Sequence, residues 1–138
     1  MSTANIIAGS LSSSPVMLVN LLAPSAVDVG GVLTASNVIN GFNVSAAAGP
    51  GNVQFPTAAS IAAALPNPLA LRVGDTFVFS QFTTGANAAT LTVNTGVTIS
   101  GTAAVTGANV GGRFQFRCTA APTAVDGTGA TFTATRVG

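Results

Sequence analysis

The stretch Asn52–Phe82, NVQFPTAASIAAALPNPLALRVGDTFVFSQF, organises the rest of the chain. Pro56 excludes helical backbone from the residue before it, and Thr57 is a suitable N-cap for the Ala-rich run that follows. Pro66 cannot continue a helix. These signals predict one short helix over about residues 57–65. A helix of this length is unstable alone, so we expect it to dock on a sheet.

A change of apolar period marks the strand that follows this helix. From Thr76 onward, Phe77 and Phe79 alternate with Val78 and Ser80, as in a strand with two different faces. Similar alternation, or a short apolar run between turn residues, predicts further strands. In chain order, the predicted strands cover residues 16–22, 42–45, 52–55, 76–82, 90–94, 97–100, 103–105, 113–119 and 131–137, with a single helical turn over 34–40.

This order of elements predicts the fold class. Several short strands separated by Gly, Asn and Pro turns are typical of an antiparallel β-sandwich or jelly roll, so we predict an all-β fold with one short helix. Asn94–Gly96 is short enough for a hairpin connection, which would pair residues 97–100 with 90–94. Residues 16–138 have the length of a single β-sandwich domain. The Ser-rich residues 1–15 lack periodicity and are predicted to form an N-terminal arm.

The chain has few charges for its length. Its 138 residues include 4 Arg and 3 Asp, so charged residues make up 5%, against roughly 25% in an ordinary soluble domain. At a net charge of +1, repulsion between copies is weak. We therefore expect a subunit whose surface is largely covered by neighbours. The alternative is a Thr-rich monomer that tolerates low charge.

Composition disfavours several partners and cofactors. Four Arg against three Asp give no basic field for nucleic acid. The longest apolar stretch, Pro15–Ala26, is interrupted by Asn20 and Pro24 and is too short to insert across a membrane. The beginning of the sequence lacks the positive charge of a secretory signal. Because the sequence contains neither clustered metal ligands nor a phosphate-binding glycine loop, we predict no cofactor and no metal.

The titratable side chains do not form a catalytic pattern. General acid–base chemistry near neutral pH usually uses His or tuned carboxylates, but the chain has no His, and Asp28, Asp75 and Asp126 are scattered among turns. Asp75 and Asp126 are expected to accept backbone N–H bonds there. Cys118 alternates with Phe116 and is expected to be a small core residue rather than a nucleophile. We therefore predict no catalytic residues and no enzyme activity.

Two further patterns have competing interpretations. Arg113 and Arg117 share one face of a predicted strand, where they would either bind a carboxylate or a neighbouring subunit, or face solvent and discourage wrong edge pairing. Asn43–Ser45 (NVS) matches the N-glycosylation acceptor pattern. Without a secretory signal, we interpret this match as chance.

Six segments together give the chain a family resemblance. They are Phe55–Ile61 (FPTAASI), Leu65–Pro66, Val73–Phe79 (VGDTFVF), Thr90–Val93 (TLTV), Thr95–Gly101 (TGVTISG) and Phe114–Thr119 (FQFRCT). Through them, roughly residues 41–137 resemble the small β-domains of virion surface proteins in tailed phages and large DNA viruses, which are capsid decoration proteins or heads of fibres. The resemblance implies a non-enzymatic structural protein, commonly assembled around a threefold axis. A short N-terminal region in place of a long fibre shaft favours a coat, decoration or filament subunit.

The leading functional hypothesis is therefore a virion structural protein that self-assembles or decorates a capsid surface, as a coat, cement or filament subunit. Its expected partners are copies of itself, as a trimer or a filament, and a major capsid protein, with the N-terminal arm clasping a neighbour. The alternative is a receptor- or carbohydrate-binding surface module of a viral fibre. Against that alternative, the chain has no Trp and no Tyr, the usual stacking platforms for sugars.

Overall fold

The computed structural model describes residues 25–46 and 49–138. The predicted arm over residues 1–15 and the predicted strand over 16–22 lie outside the described residues. The described part is rich in β-structure, with two sheets and short helices. Its helical elements are α1 (Ala35–Asn40), α2 (Ala58–Ala63) and a 3-10 turn (Pro68–Ala70), and its strands are β1 (Phe42–Ser45), β2 (Gly51–Gln54), β3 (Thr76–Thr83), β4 (Ala89–Thr92), β5 (Val97–Ser100), β6 (Ala104–Val105), β7 (Val110–Ala120) and β8 (Thr131–Arg136).

The strand pairing is mixed, and the prediction of an antiparallel fold is wrong on this point. One sheet has the order β1-β3-β7-β8-β5 and the other has the order β2-β4-β6. The pairs β1–β3, β2–β4 and β5–β8 are parallel, whereas β3–β7, β4–β6 and β7–β8 are antiparallel. Parallel neighbours need a crossover connection. Here each crossover passes through the opposite sheet, because the chain alternates between the two sheets from β1 to β6.

The predicted hairpin between residues 90–94 and 97–100 is also wrong. Strand β4 pairs with β2 and β6, while β5 joins the other sheet beside β8, with Val97 opposite Phe132. The chain changes sheets at Gly96, whose φ is +81° and whose missing side chain leaves room for helix α2: a Cβ there would lie 2.7 Å from the Ala58 Cβ. The short Asn94–Gly96 turn therefore redirects the chain instead of folding it back.

The described residues contain two α-helices, so the prediction of one helix is wrong in number. The expected turn over 34–40 is a complete helix, α1, closed by a reciprocal capping box between Thr34 and Asn37 and by Gly41 at φ +88°. Helix α2 begins after the Thr57 cap and ends at Ala63, slightly earlier than predicted. It docks through Ala58, Ile61 and Ala62, all buried.

The core consists mainly of Phe side chains that meet between the two sheets. Phe55, directly after β2, places its ring edge-on to Phe79, Phe114 and Phe116 of the five-stranded sheet, with centroids 5.6, 6.4 and 5.1 Å apart. The predicted alternation is confirmed in β3, β7 and β8. It fails after β4, where the strand ends at Thr92 and Val93 is 46% exposed. Each fully buried Phe contributes about 1.5–3 kcal/mol through burial.

Candidate functional site

The five-stranded sheet has one face on the core and one face on the surface. We call the second the outer face. Side chains on it alternate with buried ones along each strand, as the strand period requires. The outer face consists of Phe42 and Val44 (β1), Thr76, Val78, Ser80 and Phe82 (β3), Gly111, Arg113, Gln115 and Arg117 (β7), Thr131, Thr133 and Thr135 (β8), Thr98 and Ser100 (β5), and Val137 after β8.

One end of the outer face is an open apolar cleft, which we call the Phe42 cleft. The rings of Phe42 and Phe82 stack at a centroid distance of 6.5 Å and an interplanar angle of 21°. Arg113 and Val137 form the opposite side, and the cleft encloses about 420 Å³. Its depth comes from Gly111, which lies opposite Phe82 in the ladder and has no side chain to fill the space. The result is an aromatic and aliphatic surface with one guanidinium group.

The other end of the outer face is polar. The Thr98 and Thr133 hydroxyl groups lie 3.0 Å apart, and those of Thr119 and Thr131 lie 2.7 Å apart, so the side chains hydrogen-bond to one another across strands. Arg117 is exposed in the same region. Arg113 and Arg117 therefore share one face of β7, as predicted. Arg113 lies at the apolar end of the outer face and Arg117 lies at its polar end.

A buried polar cluster lies on the inner face of β1 and β3 at the sheet edge. The side chains of Asn43, Ser45, Gln81 and Thr83 are all fully buried there. Asn43 Nδ2 donates to the Val27 carbonyl oxygen (2.8 Å) and to Gln81 Oε1 (3.0 Å). Its Oδ1 accepts from the Ser25 hydroxyl and the Val27 N–H. Asn43 therefore attaches the segment that begins at Ser25 to the sheet edge.

The same bonds bear on the NVS acceptor pattern. A glycan would have to be joined to Asn43 Nδ2, which is fully buried and already uses two hydrogen-bond donors. In the folded chain this nitrogen is not accessible, which supports the interpretation of the pattern as chance.

Thr83 provides a test of the cluster. Its hydroxyl oxygen is buried and has no hydrogen-bond partner among residues 25–46 and 49–138. Thr83→Val removes the hydroxyl and keeps the shape, so we expect the free energy of unfolding to rise by about 1 kcal/mol, as measured by urea denaturation. The control is Thr98→Val on the outer face, whose hydroxyl is bonded and exposed, with a change within about 0.5 kcal/mol. A clear loss of stability in Thr83→Val would show that the hydroxyl has a stabilising partner.

Two of the three carboxylates, Asp28 and Asp75, lie at opposite ends of β3. Asp28 Oδ1 accepts from Ser45 Oγ (2.6 Å), next to the buried cluster. Asp75 lies before the opposite end of β3, and its Oδ2 accepts from the Arg72 N–H (2.9 Å). Since β3 is eight residues long, Asp28 and Asp75 are separated by roughly 20 Å or more. This distance excludes a shared proton between these two groups.

Asp126 and Cys118 have the local roles predicted for them. Asp126 Oδ1 accepts from the Thr128 N–H (2.9 Å), and bonds from the Thr128 side chain and backbone lower the pKa of this exposed carboxyl. Cys118 is a residue of β7 whose side chain lies in the core. Burial, and secondarily the Asp75 charge, raises the pKa of its thiol. A raised pKa keeps the thiol protonated and poorly nucleophilic.

The described residues contain neither a metal-binding cluster nor a membrane-spanning helix. Residues 25–46 and 49–138 contain no group of three or more His, Cys, Asp or Glu side chains arranged to hold a metal ion. In the same ranges, neither α1 nor α2 has the length and hydropathy required to cross a bilayer.

Comparisons with other proteins give no match. No family model, no curated protein and no solved structure matches the chain. The outer face is therefore the candidate functional surface on physical grounds. Its apolar character was not predicted from the sequence, although the alternation of Phe82 with Gln81 and of Phe42 with Asn43 contained the signal.

Proposed function

We propose that the chain is a non-enzymatic virion structural protein that self-assembles or decorates a capsid surface. The strongest support is the exposure of apolar side chains at one end of the outer face. Phe42 and Val137 line the same cleft and are 37% and 48% exposed, in a chain with 5% charged residues. A contiguous apolar patch of this kind indicates a surface that another protein covers.

The low charge supports the same conclusion. A dilute monomer resists association through charge repulsion, which is weak at a net charge of +1. Isolated exposed apolar residues are ordinary, but Phe42, Phe82 and Val137 together line a concave surface that includes two stacked aromatic rings. The proposed assembly is therefore driven by burial of apolar area.

We also propose that residues 16–138 form a single domain in which the two sheets make a β-sandwich. Phe55 supports this arrangement because its ring contacts three Phe rings of the other sheet. Jelly-roll connectivity is less well supported, since a jelly roll is antiparallel and three pairs here are parallel.

The proposed partners follow from the same surface and from the resemblance to virion surface domains. They are copies of the chain, as a trimer or a filament, and a major capsid protein, and the proposed location is the virion. The scattering of Asp28 and Asp75 supports a role without catalysis. The proposed assembly uses neither nucleic acid nor membrane insertion.

The test is the oligomeric state of the purified chain. We expect light scattering after gel filtration to give a mass that rises from the 13.4 kDa monomer to closed oligomers or filaments in the micromolar range, with matching particles in negative-stain micrographs. Because apolar burial drives this association, 0.5 M NaCl should not dissociate it. A monomer at every concentration, together with no binding to capsids, would contradict the proposal.

The alternative, a receptor- or carbohydrate-binding module, has one observation in its favour. The Phe42 cleft combines an aromatic pair with Arg113, and both apolar stacking and a charged donor occur in ligand sites. Reproducible glycan-array hits that are lost in Phe82→Ala would favour this alternative over assembly.

A further inference from the structure

We propose that the Phe42 cleft binds residues 16–22 (VMLVNLL) of a neighbouring copy of the chain. This inference rests on the proposed function, because it assigns both halves of a subunit junction within the assembly. The acceptor is the apolar end of the outer face, and the donor is the chain segment that leads into Ser25.

The acceptor has the chemistry that an apolar strand requires. Phe42 and Val137 stand on opposite sides of the cleft with 37% and 48% of their surface exposed, and Phe82 lies between them, stacked on Phe42. Arg113 contributes its aliphatic stem to the same surface while its charged end remains free to meet water. A peptide in the cleft would therefore cover apolar area without burying an unpaired carboxylate.

The donor has matching chemistry. Residues 16–22 contain six apolar side chains and Asn20, with no charge. In an extended segment, apolar residues then point to both sides, so one side remains apolar whichever register the segment adopts. Seven extended residues span roughly 23 Å. Crossing the strands from β1 to β8 requires roughly 14 Å, so the segment is long enough to cover the cleft.

The described chain begins beside the acceptor. The Ser25 N–H donates to the Phe42 carbonyl oxygen (3.1 Å), and the Val44 N–H donates to the Ser25 carbonyl oxygen (2.8 Å). Ser25 thus extends the sheet by one bridge at the β1 edge. Every copy therefore presents Ser25 next to its own cleft, at the β1 edge of the sheet.

The Ser25 bonds and the Pro24 in the sequence favour the cleft of a neighbour over the molecule's own cleft. The ladder bonds of Ser25 place its backbone in the plane of the sheet, not above the outer face. Residue 24 is Pro, which restricts the backbone of residue 23 to extended conformations. A sharp reversal onto the same molecule's outer face is disfavoured at this position. The proposed contact is therefore with the cleft of the next copy, a heterologous contact that builds rings or filaments.

Complementation between two full-length variants tests this junction. The cleft variant is Phe42→Ser with Val137→Ser, and the donor variant is Leu18→Ser with Leu21→Ser. Each alone should remain monomeric in light scattering, because each lacks one half of every junction. A 1:1 mixture should form a heterodimer, because one intact cleft then meets one intact donor segment. The matched control is Leu69→Ser with Val125→Ser, which replaces two exposed apolar residues outside the cleft and should assemble as the unmodified chain does.

The outcomes separate this inference from the proposed function. If both junction variants assemble normally, the inference is wrong while self-assembly stands. If each is monomeric and the mixture is too, the segment does not act between copies, and the inference is wrong. If the unmodified chain is monomeric at all concentrations, self-assembly and this inference both fail, and binding to capsids then decides whether the decoration role stands.

A second measurement does not depend on assembly. A fluorescent peptide covering residues 14–24 should bind the donor variant, whose own cleft is intact. The chain that combines all four substitutions should bind it at least tenfold more weakly. Equal binding to both chains, after thermal unfolding has confirmed that both are folded, would overturn the proposed acceptor.

Discussion

Gly127→Ala is expected to lower the free energy of unfolding by about 2–5 kcal/mol, the sum of backbone strain and overpacking. Gly127 is buried with φ +82°, and a Cβ there would lie 1.9 Å from the Ala59 carbonyl oxygen on helix α2. Because that atom is backbone, a side-chain rotation cannot relieve the clash. The loop between β7 and β8 would have to move away from α2. This movement would also remove part of the contact between α2 and the sheet. Urea denaturation measures the loss of unfolding free energy. The m-value should be compared with that of the unmodified chain.

Gly129→Ala is the matched control for this prediction. Gly129 has nearly the same φ, +88°, but the nearest atoms to its Cβ are those of Thr123 at 3.5 Å, an ordinary contact. Only the backbone strain should remain, about 1–2 kcal/mol. Equal destabilisation by the two variants would contradict the close approach of Gly127 to helix α2.

Phe55→Ala is the second change with a large expected effect. Phe55 is fully buried and contacts three aromatic rings at once, the closest being Phe116 at 5.1 Å. Truncation would leave a cavity at the junction of the two sheets, so we expect a loss of about 3–5 kcal/mol. The measurement is again the midpoint of urea denaturation, with loss of near-ultraviolet circular dichroism as a second signal.

Two further variants define what Phe55 contributes. Phe55→Leu retains an apolar side chain. It should lower the free energy of unfolding by about 1.5 kcal/mol, clearly less than Phe55→Ala. Leu69→Ala removes a side chain that is 53% exposed and should change stability by less than about 0.5 kcal/mol. If Phe55→Ala resembled Leu69→Ala, the ring would not join the two sheets.

Local sequence signals were sufficient to predict most helices and strands, but not which strands pair with each other. The period of two in β7 predicts that Phe114, Phe116 and Cys118 face the core, and all three are buried. By contrast, β4 and β5 have four residues each and similar alternation. Alternation defines which face of a strand is buried but carries no information on the neighbouring strand. The hairpin prediction failed for this reason.

The candidate site shows the same division. The sequence places Arg113 and Arg117 on one face, because both belong to a single strand. It does not reveal that Phe42 from β1 and Phe82 from β3 stack beside Arg113, since these side chains come from segments about forty residues apart and meet only through parallel pairing of β1 with β3. The buried Asn43 network depends on the same pairing.

Composition and periodicity by themselves determined that this chain is rich in β-structure, poor in charge and dependent on Phe for its core, because these properties are local or additive along the chain. They also determined the helix caps at Thr34 and Thr57, whose hydrogen bonds span three residues. Only the tertiary structure decided which strands are parallel, where the Phe42 cleft opens and how Ser25 reaches its edge. Those features depend on contacts between residues far apart in sequence, and loop closure over such distances depends little on the identity of the intervening residues.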